Sequence, residues 1–411
     1  MQRGSALKIL FVADMFPWPA TKGGLIRVAT AIEALSRLGE LDLFALYDPR
    51  GPEQVLPPGI RLRRLGTSSY PSDGKSNRWK VEWPLKRGVP LPIAMRMADP
   101  HPRKLFAQFV DEHYDIVWFS TVSTWAWMGR PHLGPTIIDL IDLEDVKERH
   151  KLAEIHSTPA PGASALARRT LVEVKTRMNA YDWASLQRKA AARVERVVVC
   201  SNEDMVRLGA DNAVVIPNTY PGPARPVGRP VAGDPPTILF QGSFDYPPNA
   251  AGARWLVREI APKVRSLLPG ARVRLAGQST AEVKALADEP DVTVTGLVPS
   301  MEDELALADM VLVPLLSGSG TRLKILEAFA QRVPVVSTTI GAEGLGAVDG
   351  VHLLVADTPD AIAEACARLC NDADLRRRLA DGGQELFLER YESSVARSAI
   401  REMVDAMARP N

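Results

Sequence analysis

Short apolar runs alternate with segments of helical period along the whole chain. Leu7 to Ala13 is a nearly continuous apolar run, Gly24 to Leu38 carries apolar residues at helical spacing, and Leu41 to Tyr47 is again short and largely apolar. The alternation continues through a helix from Arg103 to Glu112, runs at Ile116 to Phe119 and Thr136 to Asp139, and a long helical region from Ala165 to Arg193. A run at Val197 to Cys200 and a short strand ending at Pro217 and Asn218 close this half. Apolar runs without polar alternation mark strands buried on both faces, and their interleaving with helices predicts a doubly wound parallel sheet.

The pattern breaks at Tyr220 to Pro236, where six prolines and three glycines fall within 17 residues. Such a segment can form neither a helix interior nor a central strand, and it is expected to be an interdomain linker, 220–236. The alternation then resumes: strand Ile238 to Gln241, helix Ala250 to Leu268, strand Val273 to Ala276, helix Ala281 to Ala287, and strand Val292 to Val294. Strands at Met310 and Pro334, a strand from His352 to Val355, and helices from Asp360, Asp374 and Ser393 complete it. Two α/β domains are therefore expected, 1–219 and 237–389. At 411 residues the chain exceeds one ordinary core.

Composition narrows the class. Apolar residues at 46% and charged residues at 24% are those of a soluble globular protein, and a net charge of +1 gives no global attraction to nucleic acid. Cys200, Cys366 and Cys370 are too few and too unevenly spaced for a disulfide framework, which points to a reducing, cytoplasmic setting. The basic MQRGSALK followed by ILFVA has the order of a secretory signal, but the apolar run stops at Asp14 and reads better as a first strand. No run approaches the roughly 18 apolar residues of a spanning helix, so contact with a membrane would be made from its inner surface.

The chemistry concentrates in Gly318 to Leu345, GSGTRLKILEAFAQRVPVVSTTIGAEGL. The buried run MVLVPLL from Met310 leads into Gly318, Ser319 and Gly320, which allow a tight turn, and a helix is expected to start near Thr321, which can cap it. Unpaired N–H groups and the positive end of the helix dipole favour an anion there, and Arg322 and Lys324 add full charges. Glu327, one to two turns further on, is suited to accept hydrogen bonds from a vicinal diol such as a ribose. Two cations and a diol acceptor on one strand–loop–helix unit suggest a ligand bearing both diphosphate and ribose.

This segment resembles the donor-site signature of glycosyltransferase family 4, whose members share the GT-B fold: two Rossmann-like doubly wound α/β domains facing across a cleft. Weaker likeness extends over KILFVAD followed by KGG, VVVCSNEDMVRL with VVIPN, ILFQGSFDYPPN, VRLAG and VTVTGLV. The resemblance implies a retaining, metal-independent transfer of a sugar from a UDP-, GDP- or dTDP-sugar to an acceptor hydroxyl, with no cofactor. It places the donor ribose on Glu327 and the donor against Gly242, Ser243, Gly296, Gly318, Ser319, Gly320 and Thr321. Family members often carry a second glutamate where this chain has Ser319, and an arginine and a lysine after the first strand of the second domain, where this chain reads GSFDYPPNAAG. Arg322 and Lys324 are then the groups left to meet the diphosphate. The resemblance also has the last helix, 390–411, cross back onto the first domain.

In the N-terminal half, Gly23 and Gly24 follow a long loop after the first strand. They are either a tight turn or, by resemblance, the start of a helix whose N-terminus approaches phosphate and acceptor. The absence of G-x-G-x-x-G there argues against a nicotinamide enzyme. DIVWFSTVSTW offers Ser120, Thr121 and Ser123 but no histidine. Asp139, Asp142, Glu144 and Asp145 end another strand; Asp142 could orient or deprotonate an acceptor hydroxyl, and Asp142 to Asp145 could equally cap the next helix. Arg61 to Lys104 holds eleven basic residues against Asp73, Glu82 and Asp99, with Tyr70, Trp79 and Trp83 among them. That stretch is either a solvated lobe or a surface for an anionic acceptor or membrane. Base choice is expected from backbone near Gly296 to Ser300, and acceptor choice from Tyr70 to Pro102. Two rivals remain at this point: a nucleotide-sugar epimerase of similar fold, and a non-catalytic nucleotide-sugar-binding protein.

Overall fold

A computed structural model describes residues 6–20, 23–47, 56–68, 88–97, 99–157, 162–223, 235–318 and 322–408. Of the segments singled out above, Ser319, Gly320, Thr321, most of the proline-rich segment, and Tyr70, Trp79 and Trp83 lie outside the described residues. The chain divides into two compact units, Met1–Asn218 with Ala396–Asn411, and Thr219–Val395.

The N-terminal unit is built on seven parallel strands: β1 (Leu7–Ala13), β2 (Gly39–Ala45), β3 (Arg64–Thr67), β4 (Ile116–Phe119), β5 (Thr136–Leu140), β6 (Arg196–Val199) and β7 (Ala213–Val215). They lie in the order β3-β2-β1-β4-β5-β6-β7. β4 and β5 are buried along their whole length and β1 over all but its first two residues, because helices cover both sides of the sheet. One layer packs Leu10, Val12 and Phe119 against Trp125, Trp183 and Leu186. The other packs Ile9, Phe11 and Trp118 against Ile32 and Leu35, and against Ala396, Ile400 and Val404 of the last helix, Ser393–Ala408.

One short element departs from the periodicity. β3 was not anticipated: it is a half-exposed edge strand, RLGT, without an apolar run to announce it. Its Arg64, with Arg63 before it, pairs with the buried Asp42 of β2 and with Asp111. These two members of the basic stretch are thus engaged inside the unit, and Arg96 likewise pairs with Asp14 at 2.9 Å.

The C-terminal unit carries six parallel strands: β8 (Thr237–Gln241), β9 (Arg272–Ala276), β10 (Val292–Gly296), β11 (Met310–Val313), β12 (Val335–Ser337) and β13 (Leu354–Val355). Their order is β10-β9-β8-β11-β12-β13. The chain runs outward from β8 in one direction and from β11 in the other, so the connections after these two strands diverge and leave a crevice at their carboxyl ends. The single helix expected over Ala250 to Leu268 is interrupted. Pro262 has no N–H to give to the carbonyl four residues earlier, and the chain passes from an α-helix (Pro247–Trp255) through a π-helical turn (Leu256–Ile260) into a second α-helix (Ala261–Leu267). Among the described residues no helix is long and apolar enough to cross a membrane.

The N-terminal unit is tied together by a buried ion pair. Arg27, in the helix Gly23–Leu35, donates from Nε and Nη2 to the Asp139 carboxylate at 2.8 Å, and from Nη1 to the Ile216 carbonyl at 2.8 Å and to Asn218 Oδ1 at 3.1 Å. The guanidinium thus joins the helix after β1 to the ends of β5 and β7. Removing one partner strands a buried charge, which costs about 3–5 kcal/mol. Arg27→Ala is expected to lower unfolding stability by that amount in urea titrations. Arg27→Met with Asp139→Leu is expected to recover most of the loss.

Candidate active site

The crevice of the C-terminal unit gathers residues far apart in sequence. β8 ends in Gln241, followed by Gly242 at φ 149°; β9 ends in Ala276, followed by Gly277 at φ 134°; and β10 ends in Gly296 at φ 69°. The backbone N–H of Gly242 donates to Ala276 and that of Gly277 to Gly296, both at 2.9 Å, so the strand ends remain knitted as they leave the sheet. A Cβ on Gly277 would collide with the Gly242 carbonyl, and one on Gly242 would stand 3.0 Å from Asn249 Nδ2 and 3.4 Å from Lys324 Nζ. Glycine is required here by close approach as well as by φ.

β11 leads to Gly318, at φ 124°, and then to the helix Leu323–Ala330. The helix begins later than the expected start near Thr321. Arg322 is its N-cap, and no side chain caps it, so the N–H groups of Leu323 and Lys324 open the helix while Ile325 N bonds back to the Arg322 carbonyl. The helix after β8 differs. Pro247 and Pro248 fill its first turn and supply no N–H groups to an anion.

Lys324 is held from three sides. Its Nζ donates to Asn249 Oδ1 at 2.6 Å, stands 4.7 Å from the centroid of the Phe240 ring, and lies on the same helical turn as Glu327. Asn249 Nδ2 in turn donates to the Ser243 carbonyl at 2.8 Å, which ties Lys324 to the loop after β8. Burial, together with repulsion from Arg322 and against the attraction of Glu327, pushes the Lys324 ammonium down to about 7. Burial likewise pushes Glu327 up to about 7, offset in part by the Gln241 hydrogen bond and by Lys324.

Gln241 connects β8 to the helix Leu323–Ala330. Its Nε2 donates to the Lys324 carbonyl at 3.0 Å and to Glu327 Oε2 at 3.3 Å, while its buried Oε1 has no hydrogen-bond partner among the described residues. An unsatisfied buried acceptor costs about 1–3 kcal/mol, which a ligand N–H or O–H would recover. Arg322 is placed differently from Lys324. It is 6% exposed, and its guanidinium donates to the carbonyls of Gly318 at 3.0 Å and Ile340 at 3.1 Å. In this arrangement it fastens the loop after β11 and contributes its charge from beneath.

The residues singled out in the N-terminal unit do not form one cluster. Asp142 Oδ2 pairs with Lys147 Nζ at 2.9 Å, Gly23 begins the helix Gly23–Leu35, and Gly24 is exposed with open space where a Cβ would stand. The expected helix cap at Asp142 to Asp145 is instead organised by Gln187, which accepts from Glu144 N and donates to Asp145 Oδ1, each at 2.8 Å. Sequence reasoning missed Gln241, Asn249 and Gly277. The available signals were a polar residue ending the apolar run ILF and an asparagine in the first turn after it.

A six-stranded parallel sheet carries a helix start with open N–H groups and a buried Lys–Glu pair at its switch point. With the N-terminal sheet, the architecture is that of GT-B glycosyltransferases. Residues 235–372, within the C-terminal unit, match the family model of glycosyl transferases group 1. Over 215 residues the chain is 29% identical to a phosphatidyl-myo-inositol mannosyltransferase of Mycobacterium leprae, covering 50% of this chain and 56% of that protein. Over 172 residues it is 28% identical to an uncharacterised 44.6 kDa protein of the cps region of Klebsiella pneumoniae, covering 40% of this chain and 44% of that one. The chain spans about half the length of these curated relatives. Among solved structures, the sucrose-phosphate synthase of Thermosynechococcus elongatus superimposes with a TM-score of 0.66 at 18% identity, covering 97% of this chain and 99% of that one. Anabaena HepE, solved with UDP and glucose, gives 0.58 at 14% identity over 97% and 100%. These likenesses establish the fold.

The two shifted groups predict a pH profile for a bound nucleotide sugar, whose pyrophosphate does not titrate near neutrality. For a diphosphate against Lys324 and a ribose on Glu327, affinity is expected to fall as pH rises above about 7, where Lys324 loses its charge, and as pH drops below about 7, where Glu327 takes up a proton. Titration calorimetry from pH 5.5 to 8.5 is expected to give a bell. Lys324→Met is expected to abolish its basic limb, and Glu327→Gln its acidic limb.

Proposed function

We propose that this protein is a retaining glycosyltransferase that takes a sugar from a nucleotide-diphosphate donor, UDP-, GDP- or dTDP-linked, to an acceptor hydroxyl. The observation that carries the reading is the Lys324–Glu327 pair, fixed by Asn249 and Gln241 at the strand ends where the helix Leu323–Ala330 begins. The diphosphate lies at this helix start, with Lys324 against its oxygens and the N–H groups of Leu323 and Lys324 beside it. Glu327 accepts from the ribose hydroxyls, as the family resemblance implies, and Gln241 Oε1 takes a further donor from the same ligand.

Bond cleavage between the sugar and the diphosphate puts negative charge on the leaving oxygen. Lys324 and the helix N-terminus are in place before that charge develops, so little reorganisation is needed when it does. The reading calls for no metal, because protein cations meet the diphosphate. Arg322 fastens Gly318 and Ile340 through their carbonyls. Asp142, Gly23 and Gly24 are assigned to the acceptor and phosphate side, with Asp142 free to orient an acceptor hydroxyl once Lys147 is displaced or retained as its counter-ion.

Losing one preorganised contact to a developing charge costs about 2.7–4 kcal/mol. Lys324→Ala is therefore expected to cut turnover at least tenfold while leaving the circular dichroism melt intact. A folded variant with unchanged turnover removes Lys324 from the mechanism. Incubation with donor alone tests the class of reaction: a transferase gives at most slow hydrolysis, whereas conversion to an epimeric donor assigns the epimerase chemistry. With acceptor present, NMR of the new glycosidic linkage is expected to show the donor's anomeric configuration.

A further inference from the structure

A second concentration of charge lies in the N-terminal unit, apart from the crevice described above. The helices Glu144–Ser157, Ala163–Ala191 and Asn202–Leu208 enclose a groove of about 410 Å³. Arg149, Arg177, Arg188 and Arg207 line it, with Asp145 as the only carboxylate in its wall among the described residues and Tyr181 at its edge. One residue from the first helix, two from the second and one from the third bring four guanidiniums to the same space.

Their charges are poorly answered within the protein. Arg149 reaches Asp145, and Arg207 reaches Asp204, only at 3.7 Å. Asp145 is already the acceptor for Gln187 at 2.8 Å. Arg188 donates from Nε to the Ala184 carbonyl in its own helix, and among the described residues no carboxylate forms an ion pair with Arg177 or Arg188. Four like charges around one groove raise the energy of the empty site, and an oxyanion there relieves it. Guanidinium forks match the oxygens of phosphate two at a time.

The rest of the wall sets the size and character of the ligand. Leu152, Ala180, Ala184 and Leu208 give an apolar floor, and Tyr181, 71% exposed, offers a ring face suited to the C–H surface of a sugar. The volume is that of a saccharide of one or two units with its phosphates. We propose that this groove is a binding site for a saccharide carrying phosphate groups, held by Arg177 and Arg188 with Arg149 and Arg207 at its flanks. That the bound saccharide serves as acceptor rests on the transferase reading; the anion site itself does not.

The test uses the full-length protein and fructose 1,6-bisphosphate as a soluble probe, by titration calorimetry at low and high salt. Lys324→Ala removes the other anion-binding group, so binding that persists in this variant belongs elsewhere. In the Lys324→Ala background, Arg177→Ala with Arg188→Ala is expected to weaken the probe at least tenfold, and raised salt is expected to weaken it in the parent. Both arginines lie on an exposed helix face, and the melt monitors folding. Equal affinity in the arginine variant, or no binding to the wild type, overturns the proposal. Phosphatidylglycerol vesicles provide a second arm: sedimentation with vesicles that depends on the same arginines, without binding of the soluble probe, assigns the groove to a membrane surface and also overturns it. Failure of every nucleotide sugar to bind would defeat the donor reading and leave the groove's affinity for the probe unchanged.

Discussion

A parallel sheet covered by helices on both faces can present polar groups only where its strands end. That constraint shapes both units. In the C-terminal unit it is sharpened by the strand order, because the chain departs from β8 and β11 in opposite directions and leaves one place where loops do not cover the sheet. Everything proposed for the donor site follows from that opening: glycines that let strand ends approach one another, a helix whose first N–H groups face outward, and a lysine and a glutamate kept close to neutral ionisation by the surrounding protein. The site is costly to the empty fold. Gln241 Oε1 has no hydrogen-bond partner among the described residues, and two ionisable groups sit where their charged forms are disfavoured, a combination more common at functional sites than in a structural core.

The N-terminal unit answers the same constraint differently. At the ends of β5 and β7 the opening is closed by Arg27 and Asp139, a buried pair with its remaining donor capacity directed to a carbonyl and to Asn218. A carboxylate at a strand end is therefore not by itself catalytic. Asp139 fixes the frame, Asp145 organises a helix start with Gln187, and Asp142 keeps a single salt bridge at the surface.

Much of the fold was legible because buried parallel strands leave continuous apolar runs. Ile116–Phe119 and Met310–Val313 are found where those runs predict them. β3 was not legible, since an edge strand needs no apolar run, and the π-helical turn before Pro262 escaped a reading that followed helical period past a proline. At the site, Lys324 and Glu327 were visible through the local strand–loop–helix unit. Asn249 and Gln241 were not, because they reach Lys324 and Glu327 across 75 and 86 residues of sequence. The basic stretch shows the same limit for charge: counting along the chain saw Arg63 and Arg64 but not Asp42 and Asp111, which neutralise them in the folded unit.

The most direct test is thermal unfolding of the wild type and of Glu327→Ala against UDP-, GDP-, ADP- and dTDP-sugars. A ligand at 100 times its dissociation constant stabilises the native state by about 2.7 kcal/mol, enough to move the melting temperature visibly. The account predicts a rise with one nucleotide class in the wild type and none in Glu327→Ala. No rise with any donor, or the same rise in both proteins, would contradict the placement of a nucleotide sugar at this site.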